Sequence, residues 1–190
     1  MMLQACLNGG RSRDFHAAVP LSASDLARDA SACSAAGADE LHMHPRNDDG
    51  SESFDPAVIA DTLQVVRAAV PGVPIGLSTR EGILADAASR AETFSAWTDL
   101  PDYVSVNLSE VDAPEVIRLF LARGVGIEAG LASVDDAERF VALPEHVQCL
   151  RVLIEIEQQE LAAAKRLAQD ILAVLDTVGS LLPRQLHGFD

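Results

Sequence analysis

Aromatic side chains are scarce in this 190-residue chain, at 4% of residues, while 48% of residues are hydrophobic. A core of that size has to be built from Ala, Val, Leu and Ile, and it suffices for one domain. Basic residues are also in short supply. Fourteen Lys and Arg stand against 29 Asp and Glu, a net charge of −15, which disfavours a phosphate-backbone partner such as nucleic acid. Cys6, Cys33 and Cys149 are odd in number, widely spaced and set in apolar runs, which fits reduced cytoplasmic thiols better than a disulfide framework. No basic segment followed by a long apolar stretch marks a signal peptide at the amino terminus. No apolar run approaches the ~20 residues of a spanning helix, so no membrane partner is expected.

What is present is a regular alternation. Strand-like stretches at residues 3–8, 39–44, 74–79, 103–108, 125–129, 150–156 and 185–187 are separated by helical stretches at 22–36, 55–69, 86–97, 114–123, 133–143 and 158–178. Such alternation signals a parallel sheet wrapped by helices. The first strand is not followed by GxGxxG, which disfavours a dinucleotide fold. The better match is an α/β fold of the TIM-type (β/α)8 barrel class, as a single domain over residues 1–190. About seven of the eight β/α units can be counted, with the last strand–helix unit missing.

Within this frame the stretch Leu41-His42-Met43-His44-Pro45-Arg46 stands out. Its period of two sends both imidazoles to one face and both apolar side chains to the other. Two histidines at the carboxyl end of a strand can seat zinc or a similar divalent cation. The adjacent Arg46 can hold an anionic substrate against it. The same pattern also fits a pair of surface histidines on an edge strand. Alternation in the other strands leaves Cys6, Asn8, Gly76, Ser78, Tyr103, Ser105, Asn107, Gly126, Glu128, Arg151, Glu155, Gln185 and His187 facing the barrel axis, near the end where barrel active sites lie. Ser78, Ser105 and Asn107 could each be a satisfied core polar group instead. An inward Glu128 needs a cation or a donor. Glu155 is expected to pair with Arg151, and His187 to be a hydrogen-bonded core imidazole.

Several of these stretches together resemble one family. Ala5-Cys6-Leu7-Asn8-Gly9, His42-Met43-His44-Pro45-Arg46-Asn47-Asp48-Asp49-Gly50, Gly76-Leu77-Ser78-Thr79, Asp102-Tyr103-Val104-Ser105-Val106-Asn107, Gly124-Val125-Gly126-Ile127-Glu128 and Leu186-His187-Gly188 are similar, in this order, to the β-keto acid cleavage enzymes, whose type activity is 3-keto-5-aminohexanoate cleavage. The resemblance implies a metal-dependent (β/α)8 barrel, usually with zinc, as a homo-oligomer. It implies a retro-Claisen type exchange of acyl groups between a β-keto acid and an acyl-CoA. With acetyl-CoA the products are acetoacetate and a new acyl-CoA.

Carried over by position, His42 and His44 would be metal ligands, and Ser78, Ser105 and Asn107 would hold the carboxylate and keto region of the substrate. Glu128 matches an inward acidic residue of the family site. With Arg46 it is the expected catalytic pair, placed beside the metal rather than in the folding of the chain. The family's eighth strand bears an Arg-x-Gly-x-Glu-Asp motif supplying the third metal ligand and the base, and no match to it occurs in the sequence. That leaves the base and third ligand unassigned, and it raises the expectation of exposed edge strands and self-association. Two other functions compete: a metal-dependent barrel hydrolase, although those carry HxH on the first strand, and a truncated barrel that binds metal without turnover.

Overall fold

The computed structural model describes residues 2–84 and 87–188. Strands β1 (Gln4–Cys6), β2 (Glu40–Met43), β3 (Ile75–Ser78), β4 (Tyr103–Asn107), β5 (Gly126–Leu131), β6 (Arg151–Ile156) and β7 (Arg184–Gly188) alternate with helices α1 (Ala23–Ala35), α2 (Pro56–Ala69), α3 (Ala87–Ser95), α4 (Ala113–Ala122), α5 (Val134–Ala142) and α6 (Leu161–Thr177). The strands follow the order β1-β2-β3-β4-β5-β6-β7, and β1–β2, β2–β3, β5–β6 and β6–β7 pair in parallel. Seven parallel strands in sequential order, separated by six helices, are the fold class of the TIM-type barrel. The chain divides into two compact units, Met1–Val104 and Ser105–Asp190.

In the first unit the helix starts are written in the sequence. Ser22 caps α1 by accepting from the Asp25 amide, and Asp55 caps α2 by accepting from Ala57 and Val58, with Pro56 in the first turn. Leu26, Ile59, Leu63 and Val66 from these helices, with Leu41, Met43, Ile75 and Leu77 from the strands, are fully buried. Phe54, Phe94 and Trp97 stack edge to face with ring centroids 5.0–6.2 Å apart. The Trp97 indole donates to the Phe54 carbonyl at 2.8 Å. Each such pair contributes ~0.5–1.5 kcal/mol beyond its buried area. Gly76 is required by Tyr103, since a Cβ there would stand 2.0 Å from the phenol ring. That ring's hydroxyl donates to the Leu41 carbonyl at 2.7 Å and accepts from Gln4, which ties β1, β2 and β4 together.

In the second unit Val106, Leu108, Ile127, Ala129, Leu131, Val152 and Ile154 alternate as the helix-facing set, against Ile117, Phe120, Phe140 and Ile171. Ser133 caps α5 through the Asp136 amide, and Glu160 caps α6 through the amides of Ala162 and Ala163. The cap at Glu160 starts α6 three residues later than the composition predicts. The stretch Pro144–Gln148, expected as a plain connector, is a 3-10 turn. The predicted start of the third helix, Asp86, lies outside the described residues. The first strand is also shorter than the predicted 3–8. Its ladder ends where Cys6 pairs with His42, and beyond it the Asn8 side chain takes over the pairing to His44.

The three cysteines are thiols: Cys6 is exposed, Cys33 partly so, and Cys149 buried. Burial, followed by the charge of Glu145, pushes the Cys149 thiol up to about 12. No helix among the described residues is long and apolar enough to cross a membrane.

Candidate metal centre

The strand β2 ends at Met43, and His44 follows as the first residue beyond it. Here Asn8 acts as a backbone substitute. Its Oδ1 accepts from the His44 amide at 2.9 Å, and its Nδ2 donates to the His44 carbonyl at 2.8 Å and to the Pro20 carbonyl at 3.2 Å. The main chain of His44 is therefore fixed although the ladder has ended. His42 and His44 are 8% and 9% exposed, and their Nε2 atoms stand 3.3 Å apart with the rings nearly perpendicular. The reading as a surface pair on an edge is corrected by this burial. Leu41 and Met43 on the opposite face are fully buried, which is what anchors the alternation.

The geometry fits a shared cation. Two nitrogens at 2.0–2.1 Å from a tetrahedral zinc are separated by roughly 3.3 Å. Among the described residues no group of three or more His, Cys, Asp or Glu side chains is placed to hold a metal.

The turn after His44 returns the chain past the site. Asn47 and Ser51 close it by backbone hydrogen bonding, Gly50 takes φ +84°, and Arg46 and Glu52 form an antiparallel bridge. This delivers Glu52, whose Oε2 lies 2.7 Å from His44 Nδ1. The other side of the carboxylate is taken by Arg80, two residues beyond β3, with Nε 3.0 Å away and Nη2 also donating. Burial works to raise the Glu52 pKa, but the hydrogen bonds from His44 and Arg80, with the charge of Arg80, prevail and hold it at about 2. Neither Glu52 nor Arg80 was expected at the site.

Arg46 is placed differently from the expectation of an anion clamp. Its guanidinium donates to the carbonyls of Gly9, Arg11 and Gly50 and so braces the turn. Burial, then repulsion from Arg80 against the pull of Glu52, leaves its pKa below the ordinary arginine value. It also lines a cleft of about 1290 Å³ beside α1 and α2 that neither histidine lines. Ser78 is buried and its Oγ accepts from the Arg80 amide at 3.2 Å.

The second unit holds the other expected residues. Glu128, 1% exposed, accepts from the Arg151 guanidinium at 2.7 Å, and Arg151 is 3% exposed. The expected partner of Arg151 was Glu155. The strand register overturns this, since Glu128 lies directly opposite Arg151 while Glu155 lies opposite His187. His187 pairs with Glu155 at 3.7 Å and its side chain is 37% exposed, so it is not the core imidazole expected. Asn107 donates to Glu110 at 3.2 Å, and its Oδ1 crowds Gly130, where a Cβ would come within 2.7 Å. Ser105 is half-buried on β4.

Comparison with known proteins bears on the family and the fold. A family model described as beta-keto acid cleavage enzyme matches residues 1–172. No curated protein matches. Among solved structures, a mandelate racemase/muconate lactonizing enzyme from Roseiflexus sp. superposes with a TM-score of 0.60 at 18% identity, over 100% of this chain and 48% of its own. A mandelate racemase/muconate lactonizing protein from Herpetosiphon aurantiacus gives 0.63 at 14%, over 100% and 46%. The 3-dehydroquinate dehydratase from Aquifex aeolicus VF5 gives 0.62 at 14%, over 99% and 80%. The chain thus spans about half the length of the first two, and at these identities the likeness is one of fold.

Proposed function

The chain belongs to the beta-keto acid cleavage enzyme family, and from that premise we propose that it exchanges acyl groups between a β-keto acid and an acyl-CoA. With acetyl-CoA the products are acetoacetate and a new acyl-CoA. The observation that carries the reading is the convergence of His42 Nε2 and His44 Nε2 at 3.3 Å in a buried position. These two side chains would hold a divalent metal, most simply Zn2+. When bound, the metal supplies Lewis-acid polarisation of the keto and carboxylate oxygens and so stabilises an enolate.

The chain's own groups take the remaining tasks. Ser78, Ser105 and Asn107 offer hydroxyl and amide donors to the carboxylate and keto region of the substrate. Arg46 contributes as a fixed positive charge, held in place by donation from Nη1 and Nη2 to three carbonyls. Glu128 is the proposed acidic group of the reaction, paired with Arg151 at 2.7 Å. A cytoplasmic homo-oligomer is part of the same proposal.

The test is incubation with a β-keto acid and acetyl-CoA, alongside the His42→Ala/His44→Ala variant. We expect a new CoA thioester from the wild type, and loss of both co-purifying metal and turnover in the variant. Free acid formed without CoA would favour the hydrolase reading, and metal retained without any turnover the non-catalytic one. Undiminished metal in the double variant overturns the site.

A further inference from the structure

We propose that Glu52 is the positioning residue of the metal centre, fixing the tautomer of His44, with Arg80 holding Glu52 in place. This deepens the metal reading above and rests on it. A neutral imidazole carries one N–H and one lone pair, and a carboxylate can only accept. With Glu52 Oε2 at 2.7 Å from His44 Nδ1, the proton belongs on Nδ1. The lone pair is then on Nε2, the nitrogen that faces His42 Nε2 at 3.3 Å. Glu52 therefore selects the tautomer that can bind a cation and makes its nitrogen a better donor.

The support for Glu52 is built in depth. Its side chain is 6% exposed, so water competes weakly for its oxygens. Arg80 reaches the carboxylate with Nε at 3.0 Å from both oxygens. The backbone of Arg80 is in turn tied to Ser78 Oγ. On the other side Gly10 closes over the pair, where a Cβ would lie 3.6 Å from Glu52 Oε1. The carboxylate is confined to one orientation before any metal arrives. That is the arrangement in which a ligand is ordered by its neighbours rather than by the ion.

The experiment uses Glu52→Gln and Arg80→Met, with His42→Ala/His44→Ala as control. Zn2+ affinity is read by competition with a chelating dye. The His44 tautomer in the metal-free protein is read from its imidazole nitrogen resonances. Glutamine keeps the size but offers an amide that can donate as well as accept, so the tautomer is no longer dictated. We expect Glu52→Gln to weaken Zn2+ binding about 10–100-fold and to move His44 away from a pure Nδ1–H form. Arg80→Met should do the same to a smaller degree. Arg80 is 43% exposed, so that variant carries the test if Glu52→Gln does not fold. Wild-type affinity and tautomer in the folded variants, with metal lost from the histidine control, overturn the role of Glu52 alone. Metal retained by the histidine control overturns the metal reading and this inference with it.

Discussion

A carboxylate inside a protein must be answered by a cation or by donors, and Glu128 is answered by Arg151 at 2.7 Å with both side chains almost wholly buried. That ties Glu128 to the fold as well as to the proposed chemistry, contrary to the expectation that it sits beside the metal alone. Removing one partner of such a pair costs ~3–5 kcal/mol because the other charge stays buried. Glu128→Gln should therefore lower the unfolding free energy by about that much. A second change, Arg151→Met, should give part of it back. Denaturant titrations of the two single variants and the double one check this, and a Glu128→Gln protein as stable as the wild type would sink it. The need of Glu128 for a cation was legible from its place in an alternating strand. Which cation was not, because register between strands decides whether Arg151 meets Glu128 or Glu155. His42 and His44 were legible for a local reason, the two-residue period. Glu52 was hidden because it reaches His44 through a turn, and sequence spacing of eight does not announce contact. The Asn47-Asp48-Asp49-Gly50 cluster is the turn that brings residue 52 back beside residue 46.

At the scale of elements, alternation of apolar positions located every strand, while the ends were set by caps and side chains. Glu160 and Ser133 start their helices by accepting backbone amides, and Asn8 ends the first ladder by imitating the backbone. The last pair of strands carries a pH-dependent contact. His187 on β7 faces Glu155 on β6, and hydrogen bonding to that carboxylate is the largest influence raising the imidazole pKa above 6.5. Burial opposes it, and the charges of Glu155 and Glu128 add to the rise. A folded-state pKa above the unfolded one means the contact stabilises fully below pH 6.5 and is lost as pH rises through the folded value. Wild type should therefore exceed His187→Gln in unfolding free energy near pH 6 and converge with it near pH 9, where the imidazole is neutral (both pH values are approximate settings on either side of the histidine range). A difference that stays constant across that window, measured by denaturant unfolding, would assign the contact to packing rather than charge.

The fold class was legible at the level of the whole molecule because seven strands alternate with six helices, and few architectures accept that order. The side-chain chemistry between elements was not, since it depends on register and on turns rather than on composition. One property of the whole chain does come from composition alone, its net charge of −15. Like charges confined to a compact molecule repel one another, and unfolding relieves the repulsion. Surface ion pairs such as Arg28 with Asp25 and Arg118 with Glu145 work the other way but contribute little each. Salt shortens the Debye length to about 10 Å at 0.1 M and so screens both effects. The long-range repulsion is the larger sum here, because acidic groups outnumber basic ones by 29 to 14. The melting temperature should therefore rise as sodium chloride is raised from about 0.01 M to about 0.3 M. Reversing two exposed acids in the middle of helices, Glu138→Lys on α5 and Asp170→Lys on α6, should raise the low-salt melting temperature and flatten its dependence on salt. A melting temperature that falls with added salt would mean that the ion pairs outweigh the excess charge, and the reversed variant would then show no gain at low salt.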